Sequence, residues 1–204
     1  MTQPTISPER IRETIAFHGH NCPGVSIGIR VSELVLRDFE RAPDDEVVAV
    51  VETDNCAVDA IQYLTGCTLG KGNLIHLDHG KNVFTFYRRS DERGMRICLR
   101  SDTQSTADSD IPALYRKHYR EGLTPEEEER LATARQAMIE RIMTAGLKEL
   151  FDVQPAEGSI PRKARIMEGI PCDQCGERTM ETRTRRFMGR TLCIPCYESF
   201  EKST

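Results

Sequence analysis

VVAVVETDNCAVDAIQYLTGCTLGKGN, residues 47–73, decides how the larger part of this chain folds. Val47 to Thr53 is a short apolar run rich in β-branched residues, bounded by polar ones. It has strand length, and its lack of alternation predicts burial on both faces. Asp54-Asn55 then supplies cap residues, and Cys56 to about Leu64 follows with helical spacing of apolar side chains. Thr65 to Asn73 is a glycine-rich loop leading into another apolar segment.

Toward the N-terminus, Ser7-Pro8-Glu9 is an N-cap with Pro in the first helical turn, and the helix runs to about Phe17. HGHNCPG (18–24) interrupts it. Pro23 opens a second helix through Val31, Leu34 and Val35 to about Phe39, and Arg41-Ala-Pro-Asp-Asp is a turn. Toward the C-terminus, Leu74–Leu77 and Asn82–Arg89 are expected to pair as a hairpin around Asp78-His79-Gly80-Lys81. Met95–Arg100 is a further strand, 101–110 a polar loop, and Ile111–Tyr119 a short helix. Thr124-Pro125-Glu126-Glu127 has the form of a capping box. The helix it starts is expected to reach about Phe151, with Leu131, Ala134, Met138, Ile142 and Leu150 on one face. Helices mixed with hairpin strands predict an α+β fold with an antiparallel or mixed sheet. The predicted organisation is a core over 1–154, a linker over 155–170 and a small domain over 171–204.

That small domain is defined by Cys172, Cys175, Cys193 and Cys196, spaced C-x2-C-x17-C-x2-C. A CxxC pair lets one turn of backbone aim two thiolates at one ion, and two pairs complete the tetrahedron zinc prefers. TMETRTRRF (179–187) alternates, Met188-Gly189 turns the chain, and YESFEKS begins a helix after Cys196. A knuckle, a hairpin and a ligand-bearing helix make a treble clef. The closed tetrathiolate predicts structural zinc. A chain segment this short cannot bury a sufficient apolar core without a metal or disulfides.

Composition limits the function classes. The 204 residues are 38% hydrophobic and 29% charged, with a net charge of −4. No apolar run approaches membrane length and no secretory leader is visible, so the expectation is a cytoplasmic protein with no membrane partner. Eight cysteines in such a chain favour thiols and metal ligands over disulfides. Residues 161–204 hold 9 Lys/Arg and 6 Asp/Glu, a net +3 against −7 elsewhere. This is a weak basic bias, and a solvated face is the better reading of Arg183, Arg185, Arg186 and Arg190 than a nucleic-acid contact.

A second group of soft ligands lies far from the finger. His18, His20 and Cys22 fall within five residues, and Cys22 directly precedes the helix opened by Pro23. Cys56 also stands at a helix start, where unpaired N–H groups and the dipole favour a thiolate. A lone Cys at a helix start is usually a small buried residue, and a lone His usually makes only a hydrogen bond. Here the density of candidates points to a transition-metal pocket, with zinc favoured. Cys67, on the glycine-rich loop, is a candidate addition. GCTLGKG (66–72) is not a phosphate loop, because its glycines are too close and Gly follows Lys71.

FHGHNCPGVSIGIR (17–30), VETDNCAVDAIQYLTGCTLGKGNL (51–74) and DHGKNVFTFYRR (78–89) closely resemble the FmdE family. That family is named for the FmdE polypeptide of formylmethanofuran dehydrogenase, encoded beside this molybdenum enzyme in methanogens. The four-Cys segment is similar to the DksA/TraR type of zinc finger. The resemblance implies an α+β core, a homodimer and a treble-clef appendage. It also implies a metal or active-site pocket made from His18, His20, Cys22, Asp54, Cys56, Cys67 and Lys71. Cys56, Asp54 and Lys71 are then the candidates for chemistry, as metal ligand and as neighbouring acid–base groups. The implied role is an accessory protein or enzyme of one-carbon or molybdoenzyme metabolism, with a molybdenum or tungsten enzyme as partner and a small-molecule ligand. Two alternatives stand beside it: a thiol redox or sulfur-handling protein using Cys22 and Cys56, and a metal- or ligand-sensing regulator acting through the finger.

Overall fold

The computed structural model describes residues 4–39, 46–103 and 110–202. The turn expected at 41–45 and most of the loop expected over 101–110 lie outside these residues. Two compact units are present, Met1–Lys163 and Ala164–Thr204.

In the first unit, α1 (Pro8–His18) starts where the Ser7 side chain accepts from Arg10 N at 3.3 Å. It stops at Gly19, whose φ of 96° favours a residue without Cβ. Helix α2 (Pro23–Phe39) is buried on almost every side, in keeping with its apolar sequence. Strand β1 (Val47–Val51) and helix α3 (Ala57–Thr65) follow as the sequence predicts. The Asn55 side chain opens α3 by accepting from Ala57 N at 3.0 Å.

Strands β2 (Leu74–His76), β3 (Val83–Arg88), β4 (Gly94–Leu99) and β5 (Phe151–Pro155) complete a mixed sheet in the order β2-β1-β3-β4-β5. Two expectations fail here. The first is the hairpin of Leu74–Leu77 with Asn82–Arg89. β2 instead pairs parallel with β1, Val50 opposite Ile75, while β3 pairs antiparallel on β1's other edge. Helix α3 supplies the crossover that a parallel pair needs. The second is the helix to Phe151. α5 (Pro125–Thr144) ends before Ala145, and a single turn, α6 (Leu147–Leu150), leads into β5. β4 has an open edge, and Phe151 and Val153 fill it opposite Leu99 and Ile97. Leu150 and Phe151 are both buried in the main core, so apolar spacing alone could not separate helix from strand there.

The helices cover one face of the sheet. Ile27, Val31, Ala57 and Ile61 pack with Val47, Ala49, Phe84, Phe86 and Ile97. Arg30 is buried within this layer. Its Nη1 lies 2.7 Å from Glu33 Oε2, and its Nη2 donates to the Ala145 carbonyl at 2.7 Å, satisfying the end of α5. Burial lowers its pKa, and Glu33 opposes the shift. A short helix α4 (Ile111–Arg120) packs on α5 through Ile111, Leu114 and Leu131.

The second unit contains two small hairpin ladders and a helix. β6 (Gly169–Pro171) pairs with β7 (Arg178–Met180), and one 3-10 turn (Glu181–Arg183) precedes β8 (Thr184–Phe187). β8 pairs with β9 (Arg190–Cys193), and α7 (Ile194–Glu201) closes the unit. The alternating run 179–187 is therefore shared between two ladders. Met188 and Gly189 turn β8 into β9 with φ of 47° and 78°. Among the described residues, no helix is long and apolar enough to cross a membrane.

Candidate metal centres

The core cluster is built from three helix ends. His18 is the last residue of α1, Cys22 immediately precedes α2, and Cys56 immediately precedes α3. With His20 from the intervening loop, they place four donor atoms within 4.8 Å of one another. The close crossing of α2 and α3 makes this possible. A Cβ at Gly24 would lie 2.9 Å from the Cys56 Cβ, and one at Gly28 would lie 2.2 Å from the Ala57 carbonyl oxygen. Only glycine lets the start of α2 approach the start of α3 so closely. The Val25 amide donates to Cys22 Sγ at 3.5 Å, tying that sulfur to the first turn of α2.

His18 is aimed by a residue the sequence reading missed. Its Nδ1 lies 2.7 Å from Asp59 Oδ2, and Gln62 Nε2 donates to the other carboxylate oxygen at 3.4 Å. The His18 Nε2 is buried with no hydrogen-bond partner. A carboxylate on Nδ1 holds the proton there and leaves the Nε2 lone pair for a metal. The donor chemistry thus fits a transition ion: two thiols, two imidazoles and an orphaned buried nitrogen turned inward. Burial, reinforced by the adjacent Cys22 thiol, pushes the Cys56 thiol above its ordinary pKa. A bound divalent cation would reverse that balance by favouring the thiolate. Asp59 follows Cys56 by one helical turn, and that spacing was the available sequence signal.

Three candidate residues lie outside the cluster. Cys67 is wholly buried in the main core and donates to the Val47 carbonyl at 3.4 Å. Burial raises its pKa, which suits a packed thiol rather than a ligand. Asp54 is exposed in the turn before α3. Lys71 is exposed on the glycine-rich loop, at the edge of a depression of about 410 Å³. Arg10, Glu13, Phe17, Gln62 and Tyr63 also line it, so Gln62 reaches from this depression to the carboxylate that holds His18.

In the finger, Cys172, Cys175, Cys193 and Cys196 place their sulfurs within 4.8 Å of one another. Cys172 accepts from the amides of Cys193 at 3.3 Å and Gln174 at 3.5 Å. Backbone N–H groups, those of Cys175 and Cys193 foremost, hold its thiol down to about 6. Leu192 is fully buried, and Phe187 packs edge-on to Tyr197 with ring centres 5.7 Å apart. Arg190 lies over Phe200 and donates to the Asp173 carbonyl, so it is tied into the finger rather than presented to a partner.

Residues 17–152 match the family described as FmdE, Molybdenum formylmethanofuran dehydrogenase operon. The chain belongs to the FmdE family. Residues 167–202 match the prokaryotic dksA/traR C4-type zinc finger, which makes the four-cysteine cluster a zinc-finger site. A crystal structure of a tungsten formylmethanofuran dehydrogenase FmdE-like protein from Syntrophus aciditrophicus extends the agreement to the fold. It matches with a TM-score of 0.60 and 24% identity, and 98% of both chains is covered. A curated relative from Archaeoglobus fulgidus, a probable S-adenosyl-L-methionine-binding protein, is 34% identical across 90% of this chain. The match covers 51% of that relative, so this FmdE chain spans about half its length.

Proposed function

We propose that this FmdE protein binds a transition metal, zinc in the first instance, on His18, His20, Cys22 and Cys56. In this reading it serves as an accessory protein or enzyme of one-carbon or molybdoenzyme metabolism. The observation that carries the metal reading is the convergence of one donor atom from each of these four residues, together with the buried, unpartnered Nε2 of His18. When bound, the metal supplies Lewis acidity and a polarised coordination position. The chain's residues have separable tasks. Asp59 fixes the His18 tautomer, the starts of α2 and α3 bring the two sulfurs together, and Gln62 braces Asp59 from the neighbouring depression. A small molecule in that depression would meet Lys71, Arg10 and the Phe17–Tyr63 ring pair. A homodimer and a molybdenum or tungsten enzyme partner belong to the same reading, on family membership.

Elemental analysis of the purified chain tests it. About two metals per chain are expected in wild type and about one in Cys56→Ala, with the finger retaining its own. About one metal in both would end the metal reading and favour thiol chemistry at Cys22 and Cys56. A second reading comes from the Archaeoglobus relative's name: S-adenosyl-L-methionine as the small-molecule ligand. Calorimetric titration of that compound into the metal-loaded chain decides it, and absence of heat at millimolar ligand would remove it.

A further inference from the structure

The two imidazoles of the core cluster are held very differently. His18 has a side chain 10% exposed, ends a helix, and is clamped through Nδ1 by Asp59. His20 is exposed, lies on the loop after the left-handed Gly19, and has no hydrogen-bond partner among the described residues. Besides the donor atoms of the cluster, it meets the His18 ring, 4.5 Å away between centroids. An imidazole whose second nitrogen is unbraced is less fixed in orientation and less basic as a ligand. An exposed side chain also regains rotamer freedom when it lets go.

We infer that His20 is the exchangeable ligand of the core centre, and that its coordination position is where a small nitrogen- or sulfur-donor molecule binds. The inference rests on the core-metal reading above. Cys22, Cys56 and the braced His18 form the permanent set. The place that His20 holds is open to solvent, because His20 itself is exposed. Two thiolates neutralise a divalent ion, so the position has no net charge with which to draw an anion. It suits a neutral or soft donor, the ligand class that thiolate-rich centres prefer.

Cobalt(II) loading of the full chain tests this, with Cys56→Ala as the reference that retains only the finger signal. His20→Ala should hold core cobalt within about tenfold of wild-type affinity, whereas His18→Ala should lose about 100-fold or more. The visible spectrum of cobalt-loaded His20→Ala should shift, and millimolar imidazole should restore it. Imidazole or 2-mercaptoethanol should also perturb the wild-type core spectrum without releasing cobalt. Unchanged circular dichroism of His20→Ala confirms its fold. If His20→Ala loses cobalt as fully as His18→Ala, or binds it with a spectrum blind to both probes, the inference is overturned. If wild type shows no cobalt signal beyond Cys56→Ala, the core-metal reading itself falls, a different and recognisable result.

Discussion

The finger draws its four thiols from two short pairs, each pair held on one turn of backbone, and little else in that unit is buried. The core draws its cluster from the ends of three helices that pack on extensive apolar clusters. Among the described residues, Leu192 is the one fully buried large side chain of the finger, whereas Phe84, Phe86, Ile27, Ile29, Ile61, Leu64, Ile97, Leu131, Ile142 and Leu150 fill the core. The four thiols are therefore the main cohesive feature of the finger, whereas the core cluster sits on an apolar interior that is large without it. A closed site of four thiolates, with Cys172 and Cys193 buried, suits a structural role. A mixed site with one loosely held, exposed imidazole suits exchange.

The largest effect should separate the two units directly. Stripping metal with a chelator should unfold the finger, because structural zinc contributes about 10–16 kcal/mol to folding such a domain. Hydrogen exchange should show finger amides losing protection while β1, β3 and β4 keep theirs. Loss of protection in β1 and β3 as well would erase the contrast. Next, Arg30→Ala should destabilise the core by about 3–5 kcal/mol, since Glu33 would be left buried without its cation. Denaturant unfolding should register this as a lower midpoint, with finger metal retained. Gly28→Ala comes third, at about 3 kcal/mol, because the new Cβ meets the Ala57 backbone rather than a movable side chain. It should also weaken core metal binding by moving Cys56 from Cys22, and full retention of metal affinity would show that the α2–α3 crossing does not set the cluster. The smallest effect is Asp59→Asn, which should reduce core metal affinity about 10–100-fold and leave the thermal midpoint of the core within a few degrees. Competition with a chromophoric chelator measures it.

Much of this was readable before the structure. The capping box at Thr124 is present, with the Thr124 hydroxyl accepting from Glu127 N at 3.3 Å. Ser7, Pro23 and Asn55 each stand at a helix start, as their types predict. The site was legible as a set of candidates, because Cys22 and Cys56 each sit before a helix. Its membership was not. Cys67 carries the same chemistry as Cys56, yet its thiol turns into the core toward Val47. Asp59 resembles any acidic residue in a first helical turn until His18 arrives from α1.

The sequence by itself determined the features whose causes lie within a few residues: caps, turns, the CxxC pairs and the apolar runs. Local steric and hydrogen-bond preferences act over that range, and they need no partner from elsewhere in the chain. Tertiary structure alone decided which edge of β1 received β2, that β4 recruited Phe151–Pro155, and that α2 and α3 crossed closely enough to join Cys22 to Cys56. Those outcomes depend on which backbone edges stay open and how tightly the glycine-bearing face of α2 packs on α3, a competition settled only when the whole core is buried.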